Sequence, residues 1–145
     1  MYISDQLVKL IERSADDLSK RWVEDVQSRP ELNTYHGFDS AELYRRAHNV
    51  YSQLGKWISR ETSKADVERY YKAMGARRKR EGFEISEVIQ ALIITRRLIW
   101  LKVLAEGVLD TALDLHKAVE LNNRAVLFFD RAIYFMAKGY EDEVL

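Results

Sequence analysis

Few side chains in this sequence have a type and spacing suited to chemistry, and the histidines come first. His36, His48 and His116 are the three present; they lie far apart, and none has a carboxylate three residues before it. Carboxylate-bridged metal centres in helical proteins use Glu-x-x-His pairs, which put both ligands on one helix face, so no ferritin-like or hemerythrin-like centre is expected. A single histidine can also hold a haem iron. His116, near the start of the last helix, is the candidate for that role, and its plain alternative is a polar surface residue. His48 lies in YRRAHNVYSQLGKW, beside an apolar face, a loose match to a phosphoacceptor histidine. A phosphotransfer bundle would normally carry a lysine and a glycine within a few residues after it. Here Gly55 and Lys56 come late and in reversed order, which favours an ordinary amphipathic helix.

Other catalytic classes have less to stand on. Cysteine is absent, which excludes thiolate nucleophiles, disulfides and Cys-based zinc sites. No serine sits in a nucleophile-elbow pattern. The glycines are too dispersed for a phosphate-binding loop. No catalytic residue and no cofactor are expected. The run Arg77, Arg78, Lys79, Arg80 could meet nucleic-acid phosphates with help from Tyr70 and Tyr71. However, Glu81 follows at once, and cations at a helix C-terminus are already favoured by the helix dipole. Arg96 and Arg97 demand more, because they interrupt a strongly apolar helix where an unpaired charge would be expensive. Asp130 or Glu120 on the last helix are the expected partners if the two helices pack antiparallel, giving a buried ion pair. A cavity lined by such an arginine is the alternative, as a site for an anionic ligand.

These residues have to be positioned by helices. The chain has 145 residues with one proline and six glycines, a composition for long helices joined by short turns, and no strand-like alternation competes. The expectation is an all-α, single-domain bundle of about five helices. Basic and acidic residues balance at 23 each, which argues against a nucleic-acid backbone or an anionic membrane as the main partner. The start, MYISDQLVKLIERSADD, lacks the basic and apolar regions of a signal peptide, and with no cysteine the expected location is cytoplasmic.

The first helix is predicted from about Ser4 to Ser28, with Leu7, Ile11, Leu18, Trp22 and Val26 on one face and Pro30 after it. Residues 31–37 read as a loop. A second helix starts at Asp39 or Ser40 and carries Leu43, Ala47, Val50, Leu54 and Trp57. A third opens at Ser63, which has capping-box spacing to Asp66, and ends at Gly82. The fourth, about Glu84 to Glu106, is apolar from Val88 to Leu104 except at Gln90, Thr95, Arg96, Arg97 and Lys102. It should be buried on most sides, and its charges rule out a membrane span. The last, about 111–141, shows two adjacent apolar seams. One is Val126, Phe129, Ile133, Met136 and Tyr140; the other is Leu121, Ala125, Phe128, Ala132 and Phe135. Two seams imply two partners: a second copy of the chain for one of them, or two neighbouring helices of the same bundle.

The features of GARRKREGFEISEVIQALIITRRLIW, together with LFFDRAIYFMAKGYEDE and the pair Arg21 and Trp22, resemble the N-terminal domain of RsbRD-type proteins. These are RsbT co-antagonists and related sensor proteins of bacteria, and the resemblance runs from about Leu7 to Glu143. It implies an all-helical sensory or regulatory module without catalysis of its own, placed before an output such as a STAS domain or a histidine kinase. Related regulator domains look like globins without haem, which suits a haem-free His116. The sequence ends at Leu145 without such an output, as expected of either the excised sensor piece of a longer protein or a stand-alone version. The expected mechanism is a homodimer through the last two helices, with Phe128, Ala132, Phe135, Leu121 and Ile99 at the interface, passing a shift to whatever follows Glu143.

Overall fold

A computed structural model describes residues 5–59, 62–106 and 109–144. Among the described residues eight helices follow one another: α1 (Asp5–Arg13), α2 (Ala15–Ser28), α3 (Asn33–His36), α4 (Ser40–Tyr51), α5 (Leu54–Ile58), α6 (Lys64–Arg80), α7 (Ile85–Glu106) and α8 (Ala112–Asp142). No strand occurs among the described residues. The protein is all-α, as the composition predicts, with eight helices among the described residues rather than about five.

The extra helices arise where apolar spacing runs on across a break. The predicted first helix is two, α1 and α2, divided at Ser14, whose amide still bonds to Leu10 O at 3.1 Å and Ile11 O at 3.0 Å. Its predicted start, Ser4, lies outside the described residues. The second helix stops at Tyr51, and α5 takes up the same register with Leu54, Trp57 and Ile58 all buried. Packing on α1 re-aims that segment: Gly55 N donates to Glu12 Oε2 at 3.1 Å. The expected loop at 31–37 holds α3, pinned by burial of Leu32 and Tyr35.

The helix ends follow local rules. Ser63 and Asp66 form the reciprocal capping box, Asp66 N to Ser63 Oγ at 3.1 Å and Ser63 N to Asp66 Oδ2 at 3.2 Å, so two amides with no partner in the helix are satisfied. Thr111 and Asp114 repeat it at α8. Helix α6 closes with Phe83 N on Arg78 O at 3.0 Å and Gly82 N on Lys79 O at 3.1 Å. That double closure needs a left-handed residue, supplied by Gly82 at φ 92°. It also drives Phe83 into the core against Tyr35 and Phe38, with ring centroids 4.6 and 5.1 Å away. At the start of α7, buried Glu87 accepts from Thr34 N, Thr34 Oγ1 and Glu84 N at 2.8, 2.7 and 3.0 Å. Three donors on one carboxylate are what make its burial tolerable.

The core runs from Leu7 and Ile11 on α1 to Phe129 and Met136 on α8. Each such side chain contributes about 1.5–3 kcal/mol when fully buried. The tightest joint is between α6 and α8. A Cβ on Gly75 would sit 2.0 Å from Met136 O, and one on Gly139 would sit 2.0 Å from Lys72 O, so the two backbones touch at both places. Relief would require moving backbone, not a side chain. Gly75→Ala and Gly139→Ala are therefore each expected to cost about 3 kcal/mol or more. Gly37→Ala, with nothing within 4 Å of the new methyl, should be close to neutral; urea denaturation of the three variants checks this.

Candidate functional site

Helices α2, α4, α6 and α7 surround a cavity of about 270 Å³. Its wall is largely apolar and aromatic, with Trp22, Tyr35, Tyr71, Met74, Val88 and Leu92 among its residues, and the charged residues of the lining are Glu42 and arginines 45, 46, 77 and 78. Three hydrogen bonds hold the α7 wall in place. Trp22 Nε1 and Thr95 Oγ1 both donate to Ala91 O, at 3.1 and 2.8 Å, and Tyr51 OH donates to Thr95 O at 3.1 Å.

Arg78 is the unusual member. The inward stripe of α6 is Val67, Tyr71, Met74 and then, four residues on, Arg78, which is only 9% exposed. Its Nη1 lies 3.2 Å from Glu81 Oε1. That carboxylate is shared, because Arg46 donates to both its oxygens at 3.0 and 2.5 Å. Arg46 in turn donates to Glu42 at 2.7 Å, and Arg45 grips Glu42 at 2.6 and 2.9 Å. Three guanidinium groups thus share two carboxylates, which leaves the network one positive charge in excess. Burial and then the neighbouring Arg46 push the Arg78 pKa down from its ordinary value, although a guanidinium keeps its charge.

The tyrosines of the wall stay protonated, since burial raises Tyr35, Tyr51 and Tyr71 far above the usual phenol range. Tyr51 has its carbonyl acceptor. The Tyr71 hydroxyl, on a residue 1% exposed, has no hydrogen-bond partner among the described residues.

The residues singled out by the sequence lie elsewhere. Arg96 meets Asp130 at 3.5 Å, as antiparallel packing required, but the side chains are 31% and 62% exposed. The pair is on the surface, not buried, and Arg97 is exposed; neither arginine lines the cavity. Glu120 is buried. His116 is exposed on α8, and no group of residues suited to a metal ion occurs among the described residues. His48 Nε2 stands 3.0 Å from Asp16 Oδ1, to which Tyr44 OH also donates at 2.8 Å. The basic run splits by helix register. Arg78 turns inward, Arg77 is exposed, and Lys79 and Arg80 reach Glu143 at 2.6 and 3.0 Å. Phe128, Ala132, Phe135 and Leu121 on α8 and Ile99 on α7 are all buried within the chain's own core. The reason is that α8 lies between α6 and α7 and fills both seams with them.

The RsbT co-antagonist protein rsbRD N-terminal domain family matches residues 16–145. The chain belongs to that family. It is therefore a regulatory domain of stress-response signalling, and the resemblance carried by Gly75 to Trp100 pointed to the right family. No curated protein and no solved structure matches the chain. No helix among the described residues of this RsbRD N-terminal domain is long and apolar enough to cross a membrane.

The arginine network sets an acid dependence. Hydrogen bonds from Arg45, then Arg46, hold Glu42 well below the usual carboxylate range, at about 2. A carboxyl depressed in the folded state stabilises fully above its ordinary pKa, and that stabilisation is lost as pH falls toward the folded value. Between the ordinary carboxylate range and pH 2, the parent chain should lose stability more steeply than Glu42→Gln. The variant should be the weaker at pH 7, and the two should converge near pH 2 in thermal melts.

Proposed function

We propose that this RsbRD N-terminal domain is a non-catalytic, cytoplasmic sensor of bacteria, a single domain over residues 1–145. It works as a homodimer and passes its signal through α8 to an output such as a STAS domain or a histidine kinase. The observation that carries the dimer is a row of exposed apolar side chains on the longest helix. Val119, Leu127 and Tyr134 are 52%, 45% and 60% exposed, at spacings of eight and seven residues along one face of α8. Helix α7 adds Leu101 and Leu104, also exposed. The Arg96 to Asp130 pair sets the antiparallel register of the two helices, which brings those leucines to the level of α8 just before Leu127.

The interface is thus displaced from the seam that spacing suggests to the next face of the same helix. Phe128, Ala132, Phe135, Leu121 and Ile99 then act from inside, as the inner face of the two helices whose outer faces meet the partner. A helix of 31 residues is about 46 Å long at 1.5 Å per residue. A tilt imposed anywhere along it is carried to its end near Asp142. A signal acts by favouring one of two packings of that interface.

Light scattering of the parent chain and of Val119→Glu plus Leu127→Glu, with circular dichroism as the check on folding, tests the reading. The parent should be a dimer, and the double variant a helical monomer whose dimer dissociation constant has risen at least about 30-fold, the effect of losing one strong interface contact. A parent chain monomeric at high concentration overturns the dimer.

A further inference from the structure

The cavity between α2, α4, α6 and α7 combines features that no structural role of the four helices requires. We propose that it binds a small aromatic carboxylate, with the anionic head at Arg78 and the flat apolar body among Trp22, Tyr35 and Tyr71.

Size comes first. A cavity of about 270 Å³ is at the lower end for small-molecule sites, which are mostly apolar with a few placed polar groups. It opens to solvent past Arg45, Tyr70 and Arg77, so a ligand has a way in. The polar groups then select the ligand. Arg78 is nine-tenths buried and is held by the Glu81 carboxylate, both oxygens of which already accept from Arg46. A guanidinium has five donors, and a second carboxylate would pair it and cancel the excess positive charge of the network. The Tyr71 hydroxyl, fully buried and without a partner among the described residues, is a further donor and calls for an acceptor.

Other ligand classes fit less well. A cation would meet arginines 45, 46, 77 and 78, against one lining carboxylate, Glu42, that Arg45 and Arg46 already engage. A neutral apolar molecule would leave the Tyr71 hydroxyl without an acceptor and the excess positive charge of the network uncancelled. Inorganic phosphate would satisfy the charge but leave the aromatic wall empty. Rings of this wall offer faces and edges to a flat aromatic body, a geometry worth about 0.5–1.5 kcal/mol per ring pair beyond burial.

Occupancy would also be felt by α8. The Tyr71 ring packs edge-on against Phe128, with centroids 5.7 Å apart. This coupling rests on the regulatory reading above; binding itself does not.

Isothermal titration of the full chain with 2-naphthoate, with 2-naphthylmethanol as its uncharged counterpart, is the test. The carboxylate should bind saturably and at least tenfold more tightly than the alcohol. Arg78→Gln should erase that preference. Tyr71→Phe, which removes only an unpartnered hydroxyl and so leaves the fold intact by circular dichroism, should weaken 2-naphthoate several-fold. Arg96→Gln, on the surface, should bind as the parent does. If Arg78→Gln fails to fold, the comparison of the two ligands on the parent and on Tyr71→Phe decides alone. No saturable heat at millimolar 2-naphthoate, or equal affinity for the alcohol, overturns the proposal. A chain that binds but is monomeric keeps the cavity and loses the dimer, and a dimer that does not bind does the reverse.

Discussion

Backbone contact between α6 and α8 is the constraint on which the other helices depend. At Gly75 and Gly139 no side-chain layer separates the two helices, so their relative position is set by hard contact and cannot be tuned by rotamers. The pairs further along follow from it. Tyr71 meets Phe128 at one end. At the other, Lys79 reaches Glu143 O, and Tyr140 OH donates to Phe83 O at 2.7 Å. With α6 fixed in this way, Tyr71, Met74 and Arg78 line the cavity together with residues of α2, α4 and α7.

The opposite wall is held by different physics. Helices α2 and α4 are tied to α7 by hydrogen bonds to Ala91 and Thr95, α2 also by the surface pair of Asp17 with Lys102, and α4 is tied to the end of α6 by the Arg46 to Glu81 ion pair. A neutral hydrogen bond is worth about 1 kcal/mol net, and a partly exposed ion pair is weakened by solvent and salt. Apolar packing adds to this wall, as it does everywhere in the core. Helices α2, α4 and α7 carry no glycine, so the glycine-mediated backbone contact that joins α6 to α8 has no counterpart among them.

Much of this was legible from spacing. The apolar steps placed Leu7, Ile11, Leu18, Trp22 and Val26 on one buried face, and Ser63 with Asp66 announced the start of α6. Breaks at Ser14 and Ser52 were not legible, because periodicity is blind to an interruption that preserves register. On α8 the seam of Leu121, Ala125, Phe128, Ala132 and Phe135 is buried throughout, and the other is buried at Phe129 and Met136, but spacing cannot distinguish a neighbouring helix of the same chain from a second copy. Arg78 was accessible in principle. Extending Val67, Tyr71 and Met74 by one more step lands on it, but the four-residue basic run masked the register with a helix-dipole explanation that fits only its neighbours. Arg96 and Arg97 misled for the converse reason: α7 is apolar around most of its circumference, yet one edge still reaches solvent.

The backbone contact of α6 with α8 limits how a signal could travel. Under the proposed function, a ligand held by Arg78 and Tyr71 would act on α6 and α8 together, against α2, α4 and α7. A ligand biases an equilibrium between two packings only by as much as it binds one arrangement better than the other, so its contacts must span the boundary between the two groups of helices. The cavity meets that condition. Arg78 and Tyr71 belong to one side, Trp22, Val88 and Leu92 to the other, and Arg46 with Glu81 joins the two.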